Sequence, residues 1–316
     1  MNPAVASRPR VVLTIGKFDG VHLGHRVLAA TTVERADAYG AEPTAMVIDP
    51  HPAEVLSGVR VPLLTTFAER ANALRDAGLA RIDRLRFDGA LALLSPAAFL
   101  DHLTSRYELA GVVVGPDFAF GQDRAGDVAF LQRAGSHRGF ELRVVEPVLI
   151  QGERVASGLI RARVARGDIA AAARLLGRPP HMRGRVVAGA RRGRTLGYPT
   201  ANLEPVADYV IPADGVYACT VRWLDREGRP QRAGGAASIG TRPTFDDGPR
   251  SVEVHLLDRS EDLYGLTLTV DWLARLRGEQ RFADVSDLLV AMAGDVARTR
   301  TILAALADAT DDEGYS

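Results

Sequence analysis

His22 and His25 are the residues in the first half of the chain whose types and spacing best suit a chemical role. They stand three positions apart, so both imidazoles lie on one face of a helical turn. Two such rings can bind a phosphate and stabilise the charge that develops as it is attacked. Alternatively, they cap a helix or form half of a metal site, although one cysteine and five scattered histidines supply no second pair at zinc spacing.

The residues around this pair predict a turn from a strand into a helix. Residues 11–15 are a β-branched apolar run typical of a buried strand, and residues 27–39 contain few helix breakers. Gly16 and Gly20 let the backbone approach a ligand, and the start of a helix offers free N–H groups to an anion. The sequence therefore predicts a phosphate site at residues 16–26.

Strand and helix patterns alternate through the rest of the first half. Strands are predicted at 44–48, 81–87 and 111–115, and helices at 68–77 and 96–106. Such alternation indicates a parallel sheet with helices on both faces, in which ligands bind beyond the carboxyl ends of the strands. The loops that leave these strands should therefore contain the informative residues.

Two of these loops contain further candidates. Asp49 and His51 lie in a rigid corner between prolines after the second strand. Asp117, Phe118 and Phe120 lie in a glycine-rich polar loop after residues 111–115. We interpret the two phenylalanines as a platform for a planar ring, with membership of the hydrophobic core as the alternative.

The second half has a different pattern. Residues 177–180 end a helix predicted at 169–176 and form a stiff link. Strand-like runs at 184–190, 216–223, 231–239, 251–258 and 266–273 indicate an antiparallel barrel, followed by a helix at 285–307. We thus predict domains at 1–178 and 183–308, and a disordered tail at 309–316.

A basic loop opens this second half. Six arginines and no acidic residue lie between 178 and 194, and glycines make residues 189–197 suited to closing over a nucleotide phosphate, with nucleic-acid binding as the alternative. Thr200 and Asn202 follow at i and i+2, so both point the same way on an extended segment. Their oxygens could form a sparse Mg²⁺ site, or the segment could be a turn with Asn202 as a cap.

Composition limits the function further. The chain has 316 residues, 47% of them hydrophobic, and a formal net charge of zero. The length predicts two domains, and the neutral charge argues against a dedicated nucleic-acid binder or a membrane-surface protein. Cys219 is alone, so there is no disulfide framework, and no early apolar run is long enough for a signal peptide. We expect a cytoplasmic enzyme with small-molecule substrates and no obligate protein partner.

Longer motifs carry a resemblance to known enzymes. His22-Leu23-Gly24-His25 resembles the His-x-Gly-His signature of the nucleotidyltransferase superfamily. Residues 193–203, Gly-Arg-Thr-Leu-Gly-Tyr-Pro-Thr-Ala-Asn-Leu, resemble the riboflavin kinase signature, and residues 237–245, 252–258 and 262–265 resemble its later blocks in order. Nearly the whole chain is similar to the prokaryotic bifunctional riboflavin kinase/FAD synthetase family.

The resemblance implies two reactions and their sites. A C-terminal antiparallel β-barrel domain would phosphorylate riboflavin with MgATP to FMN, and an N-terminal Rossmann-like α/β domain would adenylylate FMN with a second ATP to FAD. For adenylyl transfer it implies catalysis by His22, His25 and Arg161, ATP binding by Gly16, Phe18, Asp19, Gly20, Gly24 and Ser157, and flavin or adenine binding by Asp49, His51, Asp117, Phe118 and Phe120. For the kinase it implies ATP binding by Gly189, Arg194, Gly197 and Pro199, and Mg²⁺ binding by Thr200 and Asn202.

Glu253 is the candidate general base of the kinase. It alternates with Val252 and Val254 and faces the same side as His255. We expect this side to be the inner face of the barrel, where an unpaired carboxylate would need a function. The alternative is an outward-facing, solvated glutamate.

One motif departs from the family pattern. Adenylyl- and cytidylyltransferases carry a Ser-Ser-Thr-x-x-Arg type motif that holds the triphosphate, and this chain keeps Ser157 and Arg161 but has Ala156 and Gly158 where hydroxyls are usual. An alternative is thus a riboflavin kinase whose N-terminal domain is a binding or structural module. A third hypothesis is a regulatory RNA- or flavin-binding protein that uses the arginine-rich patch.

Overall fold

The computed structural model describes residues 8–189, 196–240 and 250–312, without the side chains of 309–312. The chain forms two compact units. One comprises the chain up to Val61 together with Thr65–Ser157, and the other comprises Pro62–Leu64 and the chain from Gly158 onward.

The N-terminal unit is built on a parallel sheet. Its strands are β1 (Arg10–Gly16), β2 (Glu42–Asp49), β3 (Arg81–Arg86), β4 (Glu108–Val114) and β5 (Glu141–Val144), in the order β3-β2-β1-β4-β5. Its helices are α1 (Leu23–Tyr39), α2 (Pro52–Ser57), α3 (Phe67–Asp76), α4 (Gly89–Ala92), α5 (Pro96–Arg106) and α6 (Val128–Arg138), and β6 (Leu149–Ile150) and β7 (Glu153–Arg154) form a hairpin. This is the predicted Rossmann-like arrangement.

The central strand β1 shows why this sheet forms. Residues 11–15 are buried on both faces, as expected of a parallel strand between β2 and β4 that is covered by helices on each side. Helix α1 then ends at Gly40, which adopts the left-handed conformation and bonds back to the last turn. Helix α5 begins at Ser95, whose hydroxyl accepts from the Ala98 N–H.

The C-terminal unit contains a closed barrel. Helices α7 (Ser157–Ala165) and α8 (Ile169–Leu176) precede the strands β8 (His181–Val187), β9 (Ala201–Pro205), β10 (Gly215–Leu224), β11 (Pro230–Gly240), β12 (Ser251–Leu256) and β13 (Thr267–Arg277), and α9 (Val285–Asp312) follows them. Within the described ranges these six strands close in the order β10-β11-β12-β9-β8-β13, and each pairing is antiparallel. The predicted barrel and terminal helix are confirmed.

The barrel core follows the alternation of its strands. Val252 and Val254 on β12 are buried with Tyr217, Cys219 and Trp272 inside the barrel. Burial raises the pKa of the Cys219 thiol far above its ordinary value, so this lone cysteine is a small apolar core residue. Helix α9 ends at Asp312, beyond the predicted helix end at 307 and inside the tail predicted to be disordered.

Candidate functional sites

The two signature histidines lie at the start of α1. His22 is the N-cap residue, and its Nδ1 accepts a hydrogen bond of 3.3 Å from the His25 backbone N–H. The two rings stack with centroids 3.6 Å apart and planes 16° from parallel. His22 therefore does cap the helix, as the alternative interpretation held, and it also places both imidazoles at the phosphate-binding turn.

Both histidines are held in the neutral form. Burial lowers the pKa of His22 to about 4. Burial also lowers the pKa of His25 well below its ordinary value, and repulsion from the protonated form of His22 and from Lys17 and Arg70 lowers it further. At pH 7 the stacked pair thus offers polar N–H and N groups to a phosphate, and full positive charge comes from the lysine and arginine.

A buried hydrogen-bond network fixes the loop before the histidines. The Asp19 carboxylate accepts from the Thr65 backbone N–H at 3.0 Å, and the Gly20 N–H donates to the Thr65 hydroxyl at 2.8 Å. Ser157 Oγ donates to the Asp19 carbonyl oxygen at 2.8 Å. Asp19 and Ser157, predicted as ATP ligands, therefore hold the shape of the turn in this structure.

Phe18 and two glycines shape the same turn. The Phe18 side chain is fully buried in the core, so only its backbone is left to face a ligand at this turn. A Cβ on Gly16 would lie 3.3 Å from the Phe18 ring, and one on Gly24 would lie 3.3 Å from the His22 ring. Gly24 thus leaves room for the His22 imidazole beside the first turn of α1.

Arg70 on α3 is a residue of this site that sequence analysis missed. Its guanidinium is 3% exposed, pairs with Asp49 at 2.5 Å and donates to the Lys17 carbonyl oxygen at 2.8 Å. The exposed Arg84 binds the other carboxylate oxygen of Asp49. Asp49, predicted to bind flavin or adenine, is thus the anchor of Arg70, which ties the end of β2 to the turn after β1.

The remaining candidates of the first half have mixed positions. His51 caps α2 by accepting from the Ala53 N–H at 3.1 Å, and the exposed Asp117 pairs with Arg154. Phe120 is 8% exposed and belongs to the core, so the core alternative is correct for its ring; the half-buried Phe118 stacks on it at 5.5 Å. Arg161 lies on α7, in the part of the chain grouped with the C-terminal unit.

The C-terminal unit has a cavity of about 310 Å³ between the outer face of its barrel and helix α9. Polar side chains of β11, β12 and the segment before β9 line one side, and apolar residues of α9 line the other. The principal lining residues are Tyr198, Thr200, Ser238, Glu253, His255 and Met292. This shape, apolar with a few convergent polar groups, is typical of a site for a planar organic molecule.

Glu253 faces this cavity together with Thr200 and His255. Thr200 Oγ1 donates to Glu253 Oε2 at 3.1 Å, and His255 Nδ1 lies 2.9 Å from the Pro199 carbonyl oxygen. The predicted alternation along β12 is right, but the predicted direction is wrong: the interior is filled by Val252 and Val254. Glu253 is on the outer face of the barrel, where α9 covers it.

Asn202 lies next to these residues on β9. It is directly opposite Glu253 in the β9–β12 register, so the two side chains share the outer face, and Thr200 precedes it by two residues. A Cβ on Gly189 would lie 2.1 Å from Asn202 Nδ2, so only glycine leaves space for this amide. The Thr200 and Asn202 side-chain oxygens are hard donors that suit Mg²⁺, with water and phosphate oxygens as further ligands.

Two cavity-lining elements were missed by sequence analysis. Asp295 on α9 is buried and pairs with Arg277 at 2.9 Å and Arg298 at 2.7 Å, which anchors the helix over the cavity. The side chain of Glu279 lies where a Cβ of Gly240 would be.

Gly197 and Pro199 lie on the segment before Thr200, whereas the predicted ATP ligand Arg194 and the block at 241–245 lie outside the described residues.

Comparisons with known proteins match both halves. The FAD synthetase family model matches residues 5–159, and the riboflavin kinase family model matches residues 176–303. The bifunctional riboflavin kinase/FMN adenylyltransferases of Pseudomonas fluorescens and Escherichia coli K12 are 40% and 38% identical, each over 93% of both chains. The chain belongs to the bifunctional riboflavin kinase/FMN adenylyltransferase family.

A solved structure also has a similar fold. A crystal structure titled a macrolide-efflux protein from Streptococcus pneumoniae aligns with a TM-score of 0.84 and 31% identity, over 93% of this chain and 95% of that one. In the described part of this chain, no helix combines the length and apolar character that crossing a membrane requires.

Proposed function

We propose that this chain converts riboflavin to FMN in its C-terminal unit and FMN to FAD in its N-terminal unit, with ATP as the second substrate of each reaction. The observation that carries the proposal is the matched pair of sites: a stacked His22–His25 pair at a strand-to-helix turn, and a separate cavity lined by Thr200 and Glu253. Similarity over 93% of the chain to enzymes named for both activities supports it. We also propose that the protein is cytoplasmic and acts without nucleic acid or a membrane.

In the kinase, Glu253 is the general base. Its carboxylate would accept the proton of a riboflavin hydroxyl while that oxygen attacks the γ-phosphorus of ATP and ADP leaves. The Thr200 hydroxyl orients Glu253 through its 3.1 Å hydrogen bond. Apolar residues of α9, such as Leu288 and Met292, would cover the flavin ring and exclude water from the reacting groups.

Thr200 and Asn202 fit a magnesium ion. Their oxygens share one face, and the absence of a side chain at Gly189 keeps space beside Asn202. Among the described residues no group of three or more His, Cys, Asp or Glu could hold a metal ion, so the site would rely on a few neutral oxygens and on substrate phosphates. When bound, Mg²⁺ would neutralise charge on the phosphate chain of ATP.

In the adenylyltransferase, the FMN phosphate oxygen would attack the α-phosphorus of ATP and pyrophosphate would leave. No side-chain base is needed, because the FMN phosphate is already an anion. His22 and His25 would stabilise the α-phosphate as neutral hydrogen-bonding groups, with Lys17 supplying positive charge at the same turn. Arg161, four residues after Ser157 on α7, would bind the ATP phosphates.

A product assay tests the proposal. Purified protein is incubated with MgATP and either riboflavin or FMN, and the flavins are separated by chromatography. We expect FMN and FAD from riboflavin, and FAD from FMN. FMN without FAD, even when FMN is supplied, would instead support the kinase-only alternative suggested by Ala156 and Gly158, and no product at all would contradict both.

A further inference from the structure

The barrel has a second cavity on its outer face, and it is strongly basic. Its volume is about 420 Å³, and we call it the basic groove; its principal lining residues are Arg183, Arg222, Gln231, Arg232, Thr267 and Thr269. On β10 the kinase cavity is lined by Val216 and the basic groove by Arg222. Six residues of strand separate these positions by about 20 Å, so the two cavities are distinct.

The arginines of the basic groove stand in one row across four strands. Arg183 on β8 is opposite Thr269 on β13, Thr269 is opposite Arg222 on β10, and Arg222 is opposite Arg232 on β11. At a spacing of about 4.8 Å between strands, the row spans about 14 Å. Like charges directly opposite each other destabilise an antiparallel pair of strands. A bound anion would reduce the repulsion between Arg222 and Arg232.

Acidic side chains offset only part of this charge. Asp271 binds Arg222 through Nε at 2.8 Å and Nη2 at 2.9 Å, which holds that guanidinium in place. Within the described residues, no acidic side chain forms an ion pair with Arg183 or Arg232. The groove thus keeps two uncompensated positive charges, with the Thr267 and Thr269 hydroxyls beside them.

We propose that the basic groove binds the phosphate chain of a di- or triphosphate. Guanidinium groups bind phosphate oxygens through paired N–H donors, and threonine hydroxyls add neutral donors between them. A row about 14 Å long suits several linked phosphates better than one. Such chains come from inorganic pyrophosphate or from a nucleoside triphosphate. The proposal does not depend on either catalytic activity.

Calorimetric titration of the full-length protein with pyrophosphate tests this site. At about 0.15 M salt, diffuse attraction to exposed charges is largely screened. We expect the wild type to bind one more pyrophosphate than the double variant Arg183→Gln/Arg232→Gln. Arg226→Gln is the matched control, because Arg226 is an exposed arginine in the turn between β10 and β11 that pairs with Asp262 and does not line the groove. It should bind like the wild type.

Three further measurements make the test decisive. The single variant Arg232→Gln should weaken pyrophosphate binding in the basic groove at least about tenfold. Tryptophan fluorescence should confirm that the barrel of each variant is folded. Parallel titrations with ATP and with orthophosphate identify the source: the groove-dependent component should appear with pyrophosphate or ATP. Equal stoichiometry and affinity in the wild type and the double variant would overturn the proposal, as would orthophosphate binding as tightly as pyrophosphate.

Discussion

Replacing Arg70 by lysine should damage the N-terminal site while leaving the kinase intact. Arg70 makes separate contacts with the Asp49 carboxylate and with the Lys17 and Thr66 carbonyl oxygens. A lysine keeps the positive charge but has one nitrogen, which cannot reproduce a planar fork that reaches in several directions. We therefore expect Arg70→Lys to keep the contact with Asp49 and to lose those with the backbone.

The size of the effect follows from these contacts. A hydrogen bond from a charged donor contributes about 1.5–3 kcal/mol, and the Lys17 bond at 2.8 Å is the strongest of those lost. Because Arg70 is only 3% exposed, water cannot replace these contacts. We expect the free energy of unfolding of the N-terminal unit to fall by about 3 kcal/mol. Displacement of Lys17 and the following turn should lower FAD formation at least about tenfold.

Arg84→Lys is the matched control. Arg84 binds the same carboxylate, but its side chain is 56% exposed, so its ion pair is worth at most about 1 kcal/mol. Unfolding is followed by far-UV circular dichroism, while Trp223 and Trp272, the two tryptophans of the chain, report on the barrel alone. If Arg70→Lys loses no more stability than Arg84→Lys and still forms FAD at the normal rate, the anchoring role of Arg70 is wrong. Equal loss of FMN formation would also contradict it.

Three other predictions concern single residues of the two sites. His25→Ala should abolish FAD formation alone and Glu253→Ala FMN formation alone, measured by flavin chromatography; equal loss of both activities in one variant would contradict independent sites. His22 has a pKa of about 4 in the fold, below its ordinary 6.5, so the stability it contributes is complete above pH 6.5 and falls by about 3 kcal/mol as the pH drops to 4. His22→Asn, which keeps a capping side chain, should flatten this part of the pH–stability curve in denaturant titrations, and an unchanged slope would refute the assignment. Gly189→Ala should displace Asn202 and raise the Mg²⁺ concentration needed for FMN formation, whereas Gly294→Ala, with open space around its Cβ, should not; an equal Mg²⁺ requirement in both would remove Asn202 from the proposed site.

Local sequence patterns predicted correctly those strands and helices whose signals lie within their own residues. The apolar run of β1 and the helix start at Ser95-Pro96 are such signals, and α5 has the predicted bounds. Strand β5 was missed because its four residues include Glu141 and Arg143, which break the apolar run. Helix α6 was missed because it contains Gly135, whose Cβ would lie 2.6 Å from the Phe140 carbonyl oxygen; close packing, not flexibility, requires that glycine.

The positions of polar site residues depended on partners far away in the chain. Asp19 bonds to Thr65, 46 residues later, and Asp49 pairs with Arg70, so a single sequence offered no means of separating anchors from ligands. Glu253 illustrates a different limit. Alternation shows which residues share a face of the strand. It does not show whether that face lies inside the barrel or towards α9, because both surroundings bury side chains.

The loss of hydroxyls next to Ser157 has a structural consequence for how ATP could be held. A serine hydroxyl has one proton, and Ser157 donates it to the Asp19 carbonyl oxygen. Phosphate oxygens need donors, so Ser157 cannot bind them while it holds the turn. Since Ala156 and Gly158 have no hydroxyl, the donors left on this segment are the backbone N–H groups at the start of α7 and the Arg161 guanidinium. Adenylyl transfer would then depend more on backbone geometry and on arginine than the family motif suggests. The buried hydrogen bonds that fix Asp19 would then help to hold the ATP-binding turn in shape for this reaction.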